Sequence, residues 1–427
     1  MRHTLRISIL IISLSLLIVP QTKAKNSFEQ YLPLIQKPIE LPAVEFRGIW
    51  VNRFDWTTPD GPPTPERIDE IVANIAYAGF NVIFFQVRGE ADAYYDSSIE
   101  PWAKRMTGTL GRQPAPYWDP LAHMIEKAHE EGIQVHAYIN TYPVASCNDI
   151  PAKTVQPTPL YHLLNQEHGL QNEQPTSLQW GPNDEVACQT YYRATPASAY
   201  FNEHIISVGQ DLVTRYELDG LHLDHIRYGS EGASCDPVSE AAFGADCFSS
   251  LGYGDWQREQ INQLVRRFYN EVVPLNEGIW LSAAVWPIHE LNPDWGWPGF
   301  PEQGNTIYFQ DSKAWIRDGY IHSISPMIYP GGEYQCPDNS YLGFERWETL
   351  VRDFQAGANG RFIIPGIGTN YCTFAEIEDR IWLAREIGTG GHALFAYFGL
   401  EDNDYFDDLA EGPYEKTAVV PPIPHQP

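Results

Sequence analysis

The chain has 427 residues, 13% of them aromatic, and a formal charge of −27 at pH 7. So acidic a surface repels phosphate backbones and anionic bilayers, which argues against nucleic-acid and membrane-surface binding and favours a neutral or weakly charged substrate. The length exceeds that of an ordinary domain but suits a single barrel with large loops.

The chain opens as a signal peptide. Arg2 and Arg6 precede an apolar run, Ile7–Val19, and Thr22-Lys23-Ala24 offers a cleavage site; the run is too short to span a bilayer comfortably. Residues 1–24 are thus expected to be removed, leaving an exported protein with no membrane contact. Residues 25–45, with little periodicity, read as a linker or arm, and residues 413–427, rich in proline, as a loose tail. Between them, over 46–412, strand-like and helix-like segments alternate. The strand candidates are Arg47–Asn52, Val82–Arg88, Ile133–Asn140, Leu218–Asp224, Trp280–Pro287, Ser323–Tyr329, Phe362–Gly368 and Ala393–Phe398. Helical patterns cover Pro65–Ala78, Asp119–Glu131, Ala197–Tyr216, Trp256–Val273 and Thr373–Ile387. This alternation predicts an α/β fold, a (β/α)8 TIM barrel with long loops at the carboxyl-terminal face. An open doubly wound sheet is the alternative, but no glycine-rich phosphate loop follows the first strand.

Side chains alternate across a strand. One face of the second strand carries Val82, Phe84, Gln86, Arg88 and Glu90; one face of the third carries His136, Tyr138 and Asn140; one face of the fourth carries His222 and Asp224. A face that turns polar toward its carboxyl end opens on a site. The loops that follow are long, and aromatic residues that could stack on sugar rings lie at or beyond strand ends: Tyr94, Tyr95, Trp102, Tyr142, Trp286, Trp295, Trp297, Tyr329 and Tyr371. Six cysteines in an exported chain suggest disulfides. The expected pairs are Cys147–Cys188 and Cys235–Cys247 within loops, and Cys336–Cys372 between neighbouring loops.

The segment YELDGLHLDHIRY, Tyr216–Tyr228, concentrates the chemistry. Glycoside cleavage needs one ionised and one protonated carboxyl group. Asp224 is the candidate for the ionised group, kept charged by Arg88 or Arg227. Asp92 is the preferred acid. Glu90 is favoured by strand parity, and Glu290 and Glu333 are further candidates. Asp219, at the start of the fourth strand, reads as a turn or cap. His136, His222, Asp224 and His225 could in principle ligate a metal, but there is no HExxH motif, and neither metal nor cofactor is expected. Nor is there a GxSxG elbow for a serine hydrolase.

EFRGIWVNR, QVRGEADAYYDSSIEPWAKRMTGTLG, HAYINTYPV, YELDGLHLDHIRY and SISPMIYP follow one another in an order and spacing that resembles the bacterial glycosyl-hydrolase-like TIM-barrel proteins, a group that includes enzymes cleaving peptide-free peptidoglycan strands. The resemblance runs from about Glu45 to Leu400. It implies a barrel fold and places Asp92, Tyr95, Ser97, Pro101 and Trp102 at motif positions. Two departures stand out: His225 occupies the place of a second aspartate, and Thr141 that of a proline. The expectation is an exported, monomeric glycoside hydrolase acting on a β-linked glycan, peptidoglycan or another N-acetylhexosamine polymer; the alternatives are a catalytically inactive glycan-binding barrel and a metal-dependent hydrolase. Asp224 would act as nucleophile or base and Asp92 or Glu90 as acid, with Arg88, His136, Asn140, His222, His225, Arg227, Tyr228, Trp286 and Tyr329 positioning the sugar.

Overall fold

The computed structural model describes residues 41–424 apart from 58–60, 172, 182, 230–233, 248, 330–340 and 372. Eight parallel strands form its centre. β1 (Phe46–Val51) pairs with β2 (Val82–Arg88) on one side and with β8 (Gly391–Phe395) on the other. From β2 the ladder continues through β3 (Gln134–Asn140), β4 (Gly220–Asp224), β5 (Trp280–Val285) and β6 (Ser323–Pro326). β7 comes in two pieces: Phe362–Ile363 pairs with β6, and Gly366–Gly368 pairs with β8. The break falls at Pro365, which has no N–H to give to a ladder. Ile364 N still donates to Ile324 O at 3.0 Å, and Ala393 N to Pro365 O at 3.1 Å, so both neighbours remain attached across the break. The sheet therefore closes on itself as a (β/α)8 barrel.

Helices fall in the five segments expected from helical patterns, and two more, after the fifth and sixth strands, lie outside that expectation. α1 (Pro65–Ala78), α2 (Pro120–Glu130), α3 (Ala199–Arg215), α4 (Tyr253–Arg267), α5 (Ser312–Arg317), α6 (Phe344–Gln355) and α7 (Phe374–Ile387) follow β1 to β7 in turn. Asp119 caps α2 by accepting from Leu121 N and Ala122 N, and Thr373 and Glu376 form a capping box on α7. Ser198 caps α3, which is why that helix starts two residues later than its apolar period suggests.

The two faces of the strands carry two cores. Outward, Ile49, Val51, Ile83, Phe85, Val135, Ala137 and Ile139 pack on the helices. Inward, Phe46, Trp50, Val82, Phe84, Tyr138 and Trp280 fill the barrel. His136 joins the inner layer directly opposite Gly220. A Cβ at Gly220 would collide with the imidazole ring, so the fourth strand begins with the one residue that leaves room.

Residues 413–424, expected to be loose, are bound to the barrel. Tyr414 is buried, its hydroxyl 2.7 Å from His392 Nε2. Arg47 donates to Lys416 O at 2.9 Å, and Glu45 N to Val419 O at 2.9 Å. Among the described residues no helix is long and apolar enough to cross a membrane. The Cys147–Cys188 and Cys235–Cys247 disulfides are both present. Cys336 and Cys372, like Glu333, lie outside the described residues.

Candidate active site

Asp224 ends β4 at the mouth of the barrel. Its Oδ1 accepts from His225 N at 2.6 Å and lies 3.4 Å from the Arg227 guanidinium; its Oδ2 accepts from the Tyr138 hydroxyl at 2.9 Å. Burial favours the neutral acid, but His225, Arg227 and the His225 N–H outweigh it and hold the carboxyl at about 2. The His225 ring is itself kept neutral down to about pH 3 by burial, so at working pH the positive charge beside Asp224 is that of Arg227. Around this carboxylate stand aromatic surfaces. Trp286 stacks on Tyr308 at 4.1 Å beneath Arg227, and Tyr329 lies parallel to Phe395 at 4.9 Å.

Glu90 lies beyond the end of β2. Its carboxylate is 3.3 Å from Arg53, which also donates to the Tyr191 hydroxyl at 3.0 Å. Tyr191 meets the His225 ring edge-on at 5.8 Å, so one chain of contacts joins Glu90 to the residue next to Asp224. Burial, then the charge of Asp92, raise the Glu90 carboxyl to about 7 against the opposing pull of Arg53. Glu90, Asp92 and Arg53 line a cavity of about 560 Å3 that runs under the loops. Asp224 is not among its lining residues; the cavity is the Glu90 side of the site. The two acid candidates differ in their contacts, while burial raises the carboxyls of both. Asp92 Oδ1 accepts from Gly89 N at 3.2 Å and Glu90 N at 2.8 Å, so Asp92 fixes the turn that aims Glu90. Glu290 is tied to Asn305.

Several expected sugar contacts are instead part of the frame. The ladder between β2 and β3 slips after Gln86, so that Arg88 stands opposite Ile139. A one-residue slip turns a side chain to the other face of a sheet. Arg88 is therefore fully buried outside the barrel, where it forms a bidentate pair with Glu100 and donates to the carbonyls of Asn140, Thr141 and Pro143. His136 and His222 are fully buried. His222 Nε2 accepts from the Trp50 indole at 3.2 Å and its Nδ1 meets Ser282 Oγ at 2.8 Å. Among the described residues no three His, Cys, Asp or Glu side chains, these included, come together closely enough to hold a metal ion. Asn140 is pinned to Gly89 O at 3.1 Å, next to Asp224 but turned into the frame. Tyr228 is buried edge-on to Phe309. Tyr94, Tyr95, Trp102, Tyr142 and Tyr371 are core residues. Asp219, at the far end, accepts from Val135 N at 2.8 Å.

Sequence reasoning passed over Arg53, Tyr138, Tyr191 and Arg193 as site residues. Tyr138 was legible, since it shares the inward face of β3 with Asn140. Arg53 lies just past the carboxyl end of β1, the same position that singled out Asp224. Tyr191 and Arg193 arrive on a hairpin, Pro143–Ser146 with Tyr191–Arg193, that the Cys147–Cys188 bridge clips shut; no local pattern announces it.

A barrel whose mouth holds one carboxylate at about 2 and another carboxyl at about 7 has the ingredients of glycoside cleavage. Residues 45–339 match the family described as glycosyl hydrolase-like 10. The chain belongs to this family. As a glycosyl hydrolase-like 10 protein it falls in the class of glycoside hydrolases. Its sequence is similar to glycosyl hydrolase YngK of Bacillus subtilis (strain 168), with 26% identity over 89% of this chain and 74% of the relative. It is also similar to glycosyl hydrolase DigH of Escherichia coli (strain K12), with 27% identity over 66% of this chain and 65% of the relative. Among solved structures, the PgaB (BpsB) glycoside hydrolase domain of Bordetella bronchiseptica overlays with a TM-score of 0.55 at 10% identity, covering 86% of this chain and 99% of that one. The catalytic domain of a β-amylase from Paenibacillus polymyxa gives 0.53 at 11% identity, covering 85% and 95%. At such identities these two likenesses speak to the fold alone.

Proposed function

We propose that this family member is an exported, monomeric hydrolase that cleaves a β-linked glycan, with peptidoglycan strands or a related N-acetylhexosamine polymer as substrate. The observation that carries this reading is the divergence of two carboxyl groups at one barrel mouth, Asp224 ionised and Glu90 holding its proton to about pH 7. Glu90 donates its proton to the leaving glycosidic oxygen. Asp224 acts from the other side, as nucleophile on the anomeric carbon or as base toward water. Trp286 and Tyr329 offer faces on which a sugar ring can stack. Arg53 and Tyr191 hold Glu90 in place, and Asp92 fixes its turn.

The test is to incubate the protein lacking residues 1–24, and its Asp224→Asn and Glu90→Gln variants, with peptide-free peptidoglycan strands and chitin oligomers, and to identify soluble products by mass spectrometry. Fragments from the wild type alone support both assignments. Equal release from the wild type and Asp224→Asn removes Asp224 from the chemistry. No release from any of these glycans by the wild type defeats the substrate reading.

A further inference from the structure

Arg193 is out of keeping with the rest of the chain. The protein carries 55 acidic against 28 basic residues, and most of its arginines meet a carboxylate. Arg193 is half-buried, yet among the described residues no carboxylate lies within ion-pair distance of it. Its only hydrogen bond there is to Tyr191 O, at 3.4 Å. Its guanidinium lies 5.8 Å from the centre of the Tyr191 ring, the same ring that meets His225 edge-on, and it occupies the space that a side chain at Gly229 would need. The charges that act on it are not compensating ones. Burial and the nearby Arg227 push it down to about 10, still protonated at neutral pH. Arg193, Arg227 and Arg53 all bear on the His225 ring. Against three guanidinium groups stand Asp224, which pairs with Arg227 at 3.4 Å and also accepts from Tyr138 and His225 N, and Glu90, 3.3 Å from Arg53, so that Arg193 is the one of the three with no carboxylate among the described residues.

Like charges held together out of water are costly unless a counter-charge meets them. Among the described residues none meets Arg193, which leaves it open to the counter-charge of a ligand. The ligand must also fit a glycan site. We infer that Arg193 and Arg227 form a carboxylate-reading subsite beside Asp224, and that the glycan cleaved here bears a carboxylate on a sugar ring next to the scissile bond. The guanidinium fork suits the two oxygens of a carboxylate, and such charge-assisted bonds are strong where water is scarce. The net charge of −27 does not oppose this. Exposed charges are screened beyond about 8 Å at physiological salt, whereas the subsite acts at contact.

The inference rests on the placement of the active site at Asp224 and Glu90 and narrows its substrate. Peptide-free peptidoglycan carries a free lactyl carboxylate on alternate sugars, a uronic acid polymer carries its carboxylate on the ring, and chitin carries none. The experiment compares four probes: peptide-free strands, the same strands with carboxyls amidated by carbodiimide and ammonia, hyaluronan oligosaccharides and chitin oligomers. Cleavage is measured with the wild type, Arg193→Gln and Arg193→Lys; affinity is measured by calorimetry with the uncleaving Glu90→Gln variant. The expected result is a preference of about ten- to hundredfold for free over amidated strands, the range of a hydrogen bond to a charged group. Arg193→Gln should erase that preference through KM, and Arg193→Lys should restore part of it. Hyaluronan set against free strands tells a ring carboxylate from a lactyl one. Equal handling of free and amidated strands, or a preference untouched in Arg193→Gln, overturns the subsite. If the wild type cleaves nothing, the substrate reading fails, while the affinities of free and amidated strands still decide the arginine pair.

Discussion

At the scale of single residues, the surroundings of Asp224 and Glu90 push their two carboxyl groups in opposite directions. Asp224 meets a backbone N–H, a guanidinium and a phenol, all of which favour its charged form. Glu90 is mostly buried beside the Asp92 carboxyl, and its burial and that neighbour both favour its neutral form. On the proposed mechanism, activity needs Glu90 protonated and Asp224 ionised, so the rate should fall as pH rises through about 7 and persist on the acid side until Asp224 takes up its proton. A pH profile of kcat/KM checks this, and Glu90→Gln should lose about 10²- to 10⁴-fold in kcat along with the alkaline limb. Tyr138→Phe removes a donor from the charged form of Asp224 alone. Its acid limb should move to higher pH, with kcat lowered and KM little changed. A profile identical to the wild type would make the phenol a packing residue.

At the scale of elements, precision comes from buried polar ties between strand ends and loops. The slip between β2 and β3 drives Arg88 into contact with Glu100, which also accepts from His204 of α3 at 2.9 Å. Burial works against the Glu100 charge, but Arg88 and His204 outweigh it and hold the carboxyl at about 2. An ordinary glutamate titrates near about 4.3. The stabilisation is therefore fully present above that value and is lost as pH falls toward about 2. Glu100→Gln leaves the Arg88 charge buried without a partner and should cost about 3–5 kcal/mol at neutral pH, read by urea unfolding. In acid the difference from the wild type should shrink.

At the scale of the whole molecule, the closed barrel fixes the geometry, and its open end is furnished from distant parts of the chain. The opposite end is sealed by the segment that follows Gly412. Tyr414, held by His392, and the carbonyls of Pro413 and Lys416, bound by Arg385 and Arg47, close it around Glu45. A chain ending at Gly412 should lose more than about 3 kcal/mol, the worth of one buried aromatic side chain, visible as a lower midpoint in thermal unfolding. The barrel itself, its inward and outward faces and Asp224 at the end of β4 were all readable in the sequence. They follow from a period of two along each strand and from the alternation of strands with helices, which are local properties of the chain. Arg88 was misread because a single slip in the ladder reverses a side chain without leaving any mark in the sequence. His136, His222 and Asn140 looked like site residues because the barrel interior is polar well below its mouth, and only their partners show them to be frame. Tyr191 and Arg193 come to Asp224 on a hairpin that a disulfide closes, and Asp92 is set apart from Glu90 only by which backbone N–H groups it accepts. The sequence by itself determined the fold and its reactive end, because periodicity acts between neighbours in the chain. Tertiary structure decided which charges meet there, because burial and Coulomb forces act between neighbours in space.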